Sequence, residues 1–138
     1  MKKMLMLFLF TGTLISCTTE DSETEITTNE STSGSTTATV NLNVINSSSA
    51  SQSGYIVMMF NREVKENQPL PEILFQKTSN SEGNVSFDLE DYIAKNGNGP
   101  YFFEAFLKTS NGFSLESITH PTFLVKSGQS RTTSIIVK

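Results

Sequence analysis

The chain of 138 residues holds one cysteine, one histidine and four prolines, and its only long apolar stretch covers residues 4–15. Each scarcity removes a class of function. A run of that length is shorter than the roughly 20 apolar residues a spanning helix needs. With His120 as the sole imidazole, set ahead of Pro121, any Ser/His/Asp or Cys/His arrangement would have to be built on it, and no nucleophile-elbow motif accompanies it. The basic residues are few and scattered from Arg62 to Lys138, which argues against nucleic acid, since that partner requires a clustered Lys/Arg footprint. Asn96-Gly97-Asn98-Gly99 is neither followed by Lys-Ser/Thr nor placed before a helix, so it is no phosphate loop. Three acids, Asp88, Glu90 and Asp91, crowd the end of one predicted strand. They lack the ligand spacing of a calcium loop and read as a solvated turn opening the segment at Tyr92. No catalytic residue, metal site or cofactor is expected.

What is present begins with Met1-Lys2-Lys3 and the apolar stretch after it, the n-region and h-region order of a secretory signal peptide. It ends on Leu14-Ile15-Ser16-Cys17, which resembles the lipobox of bacterial lipoproteins. The resemblance implies cleavage before Cys17 and acylation of that cysteine, so that the partner of residue 17 is the lipid bilayer. Stable anchoring takes two or three acyl chains, because one holds only marginally at ~0.8 kcal/mol per buried CH₂. Acylation would also leave no thiol for a disulfide, a metal or a nucleophile. A plain signal peptide with an incidental cysteine is the alternative.

Residues 18–37 contain twelve Ser or Thr, five acids, no basic residue and a single aliphatic, Ile26. Such a segment buries too little apolar surface to offset its ordering entropy, and it is expected to be a disordered tether with an r.m.s. reach of about 25 Å and a stretched length of ~70 Å. Glu20, Asp21 and Glu23 follow the cysteine closely. They resemble the export signal that sends lipoproteins of the Bacteroidota to the outer face of the outer membrane; a merely solubilising acidic tether is the alternative. Residues 38–138 hold nine acids against eight bases, a nearly neutral remainder.

That remainder reads as one β domain. "ATVNLNVI" alternates Val40, Leu42 and Val44 against asparagines, the period of a strand with one buried face. "YIVMMFN" is apolar on both faces and fits a covered, central strand. Ile73 and Phe75 on one side of "TSNSEGN", with Val85, Phe87 and Leu89 on the other, suggest a hairpin. "EDYIAKNGNGP" offers one helical turn, and Ser110-Asn111-Gly112 marks a second hairpin. Two more strands flank Ser127-Gly128. The expectation is an all-β, antiparallel sandwich of seven to eight strands over residues 38–138, preceded by a signal at 1–16 and a lipidated tether at 17–37.

The order "GYIVMMFN", "KTSNSEGNVSFDL", "GPYFFEAF", "SGQSRTTSIIVK" resembles transthyretin-like or carboxypeptidase-regulatory-like modules of secreted bacterial proteins, a sandwich fold related in layout to immunoglobulin-like domains. Some of those modules carry a Lys to Asn isopeptide bond. The first strand here has no lysine, and no such crosslink is expected.

In "PYFFEAFLK" the alternation assigns Tyr101, Phe103, Ala105 and Leu107 to the core face and turns Phe102, Glu104 and Phe106 the other way. Exposed, these three would suit a protein or glycan contact; covered by a loop, they would be a second layer of packing. Two roles stay open: a non-catalytic interaction or accessory module on the outer membrane, lipid-anchored and facing the exterior, or a periplasm-facing structural lipoprotein supporting an envelope complex.

Overall fold

The computed structural model describes residues 37–138; the signal peptide, the lipobox Leu14-Ile15-Ser16, Cys17, the acids Glu20, Asp21 and Glu23 and almost the whole tether lie outside them. The described residues form eight strands and one helix: β1 (Thr39–Asn46), β2 (Ile56–Phe60), β3 (Phe75–Thr78), β4 (Asn84–Asp88), α1 (Glu90–Asn96), β5 (Gly99–Thr109), β6 (Gly112–Leu115), β7 (Thr122–Val125) and β8 (Ser130–Val137). One sheet has the order β4-β1-β8; the other has β3-β2-β5-β6, with β7 also paired to β5. The all-β sandwich is therefore the observed fold.

The alternating residues of β1 and β4 explain the first sheet. Val40, Leu42, Val44, Val85 and Phe87 are buried, while their polar neighbours face outward, as a two-residue period requires. From the opposite sheet come Val57, Met59, Tyr101, Phe103 and Ala105, and the two sets form one core with Ile135 and Val137 of β8. Phe87 and Phe103 meet across it at 5.8 Å between ring centroids. Burying each such side chain is worth about 1.5–3 kcal/mol.

The strand pairing is antiparallel except at β1 and β8, which run parallel over eight residues, from Thr39 opposite Ser130 to Asn46 opposite Val137. The expected hairpin around "TSNSEGN" is corrected. Its turn exists, with Asn80 Oδ1 accepting from the backbone of Glu82 and Asn84, but β3 joins β2 and β4 joins β1. The segment is thus a corner between sheets, because turn residues dictate a reversal and not the partner of each arm. β3 also starts later than the sequence suggested, and Ile73 is exposed ahead of it. The hairpin at Ser110-Asn111 pairs Thr109 with Gly112 as expected.

Helix α1 runs for seven residues, about two turns rather than one. Acids stand in its first turn and Lys95 in its last, the arrangement the helix dipole favours. Ile93 enters the core, and Tyr92 stands edge-on to Phe75 and Tyr101 at 5.2 and 5.8 Å. The helix plugs one end of the sandwich.

Candidate functional site

The outward face of the five-stranded sheet is where chemistry and apolar surface meet. β2 is central in that sheet and apolar on both sides, sending Val57 and Met59 inward and Met58 and Phe60 outward. Opposite Met58 on β5 stands Glu104, and opposite Phe60 stands Phe102. The face assignment read from the alternation of β5 holds for Phe102, Glu104 and Phe106, which point away from the main core.

Of the two arrangements left open for them, the covered one is observed at Glu104 and Phe106, and Phe102 is half-buried. Phe106 is 1% exposed, and with Met58 and Phe60 it forms a second, smaller core against which Ile56, Val64, Phe102 and Leu115 pack. Its ring meets Phe60 edge-on at 6.2 Å. Val64 belongs to the segment between β2 and β3, so this second core includes a loop residue as well as sheet residues. Leu107, expected in the core, is 38% exposed because β5 continues past the sandwich towards its hairpin tip.

Glu104 is 2% exposed, on the outward face of β5 between Phe102 and Phe106 and opposite Met58. Along this side of β5, β6 pairs with residues 106–109 and β7 with 99–102, so the chain between them leaves the sheet edge beside Glu104. Residues 116–121 cross to the other sheet, where the Ile118 amide donates to Ile136 O at 2.7 Å and Ser117 bridges Val137. The same link brings back His120, whose Nδ1 lies 2.9 Å from both oxygens of Glu104. Burial raises the Glu104 carboxyl above its ordinary value; hydrogen bonds from His120 and Ser117 and the charge of His120 pull it back, and Glu63 raises it further. The imidazole itself is 55% exposed.

Chemically this is a carboxyl–imidazole contact that closes a seam. Both carboxylate oxygens face one imidazole nitrogen, and the buried Ser117 hydroxyl accepts from the Ala105 amide at 2.6 Å. Among the described residues no group of three or more His, Cys, Asp or Glu is arranged to hold a metal. A shallow open depression beside this face is lined by Arg62, Glu63, Lys65, Gln68, Pro69 and Pro71.

The three acids after β4 separate in role. Glu90 accepts from the Ala38 amide at 2.6 Å, from the Gly128 amide at 3.0 Å and from the Ser127 hydroxyl, and these bonds, the serine's first, hold its carboxyl below the ordinary value. Asp88 caps the Glu90 amide at 3.2 Å, and Asp91 is exposed in the first turn of α1. The reading as a merely solvated turn missed Glu90, whose partners come from positions 52 and about 38 residues away. The lipidation residues and the acids of the tether lie outside the described residues, and no helix among those described is long and apolar enough to cross a membrane.

No family profile matches this chain, and no curated protein matches it. Solved structures do align with it. A streptococcal ancillary pilin is 11% identical over 74% of this chain and 32% of its own, with a TM-score of 0.49. BcpA, the major pilin subunit of Bacillus cereus, is 12% identical over 75% and 31%, with a TM-score of 0.40. The group B streptococcus pilus 2b backbone protein is 14% identical over 73% and 41%, with a TM-score of 0.38. This chain spans less than half the length of each. At these values no residue role carries over from them.

Proposed function

We propose that this protein is a lipid-anchored, non-catalytic interaction or accessory module of a bacterial cell envelope, held by acylated Cys17 in the outer membrane and facing the exterior. The observation that carries the reading is the succession in one short stretch of two lysines, a short apolar run, Leu14-Ile15-Ser16-Cys17 and an acidic Ser/Thr tract. Glu20, Asp21 and Glu23 serve as the export signal, and the tether holds the sandwich clear of the lipid headgroups.

The domain's polar groups support a binding role over catalysis. Glu104 faces His120, Ser117 is engaged by the backbone, and Glu90 fastens the start of β1. Phe102, Glu104 and Phe106 form a floor, and the groups offered to a protein or glycan partner are the exposed Phe113 and Leu124 at the sheet edge with His120 between them in sequence.

Intact mass of the detergent-extracted protein tests the anchor. The expected product starts at residue 17 and carries acyl chains, whereas Cys17→Ala yields an unacylated chain. A wild-type mass without acyl chains would overturn the reading.

A further inference from the structure

The strand that follows the tether is β1, and its position in the fold gives it a mechanical character. It is the central strand of its sheet, paired with β4 over five residues and with β8 over eight. Its inward side chains Val40, Leu42 and Val44 are fully or almost fully buried. At its start the chain is fastened by three hydrogen bonds at two places, the start of α1 and the turn before β8. The Ala38 amide donates to Glu90 of α1 at 2.6 Å, Ala38 O accepts from the Leu89 amide at 2.7 Å, and the Thr39 amide donates to Gln129 O at 3.0 Å.

We infer that the domain is a load-bearing module in which tension along the tether is carried by β1 in shear. A pull between the tether and the chain beyond β8 acts along the axis of β1, away from its N-terminal end. Ladder hydrogen bonds lie across the strand direction, so both ladders are strained together and must give way together. The parallel pairing sharpens this, because the end of β8 at Val137 lies at the opposite end of β1 from the tether. Tension between the tether and the chain end after β8 therefore slides the two strands past one another. A pull between the tether and the β7–β8 turn acts instead at one end of the pair, where Thr39 faces Ser130, and peels the ladder one bond at a time. The cellular use of this property rests on the lipid-anchored reading. The property itself rests on topology alone.

Single-molecule pulling on the full 138-residue chain tests it. Cys17→Ser removes the native thiol, Ser35→Cys supplies the tether handle, and the second handle is either a cysteine appended after Lys138 or Lys126→Cys in the exposed turn before β8. Gln129→Cys gives the same turn geometry should the Lys126 variant fail to fold, and thermal melts establish that each variant is folded. Forced unfolding reports the barrier to unfolding along the pulled direction. The expected result is an unfolding force several-fold higher for the handle after Lys138 than for the turn handle. Equal forces in the two geometries would overturn the inference, and since no variant is acylated, that result leaves the anchor to be judged by its own measurement.

Discussion

The imidazole Nδ1 of His120 lies 2.9 Å from both carboxylate oxygens of Glu104, sixteen residues earlier in the middle of β5. The pair closes the place where the sheet edge is interrupted between β6 and β7. Burial dominates the carboxyl, raising it above its ordinary value. A raised carboxyl contributes stability that is fully present below its unfolded value, about 4.3, and is lost as pH rises through the folded value. Glu104→Gln removes that dependence. Urea melts from pH 3.5 to pH 7.5 are expected to show the variant gaining on wild type as pH rises, whereas a constant difference would mean that Glu104 is not held as described.

Removing the partner has the opposite sign. His120→Ala leaves the buried carboxyl without its imidazole partner, and a loss of about 1 kcal/mol is expected at pH 7, modest because the imidazole is half in solvent and Ser117 stays beside the carboxyl. In the Glu104→Gln background the same substitution should have a smaller effect, which a double-mutant cycle measures.

Glu90 titrates in the other sense. Its carboxyl is held low by Ser127, Gly128 and Ala38, so its contribution is present above the unfolded value and is lost as pH falls through the folded one. Glu90→Gln is expected to melt below wild type at pH 7 and to converge with it in acid. A gap that persists at pH 2.5 would assign the effect to packing instead.

The two aromatic layers make a quantitative contrast with an exposed patch. Phe103→Ala in the main core and Phe106→Ala on the outer face are both expected to lose about 3–5 kcal/mol in denaturant melts. A loss below about 0.5 kcal/mol at Phe106 is what a surface residue would give, and it would mean that the outer core is open.

Gly83 sits where the end of β1 passes the corner after β3. Its φ is +77°, and a Cβ there would stand 2.4 Å from Val44 O. Gly54 has a similar φ of +82° with nothing within 4 Å. Both alanine variants bear the backbone strain of about 1 kcal/mol, and Gly83→Ala should lose clearly more, because the clash is with backbone. Equal melting points would place the two ends differently.

Much of this was legible in the order of residues. The alternation of Val40-Asn41-Leu42-Asn43-Val44 fixed a half-buried strand, the doubly apolar Val57-Met58-Met59-Phe60 fixed a covered one, and β5 turned its side chains to the faces its period required. What was not legible depends on strand order, which periodicity does not encode. The parallel partner of β1 lies 91 positions away. The corner at Asn80 looks in sequence like any hairpin turn. Glu104 reads as an outward charge until the link of residues 116–121 is known to cross to β8 and return with His120. A glutamate flanked by phenylalanines at two-residue spacing was the available signal of burial, and the lone histidine its natural partner.

Protease shaving of intact cells separates an outward-facing domain from a periplasmic one, comparing wild type with Cys17→Ala and with the triple replacement of Glu20, Asp21 and Glu23 by Ala. Wild type is expected to be cut on intact cells, while the triple variant is acylated but protected. Wild type that resists on intact cells and is cut only after permeabilisation would contradict the outward-facing reading and move the domain to the periplasmic face.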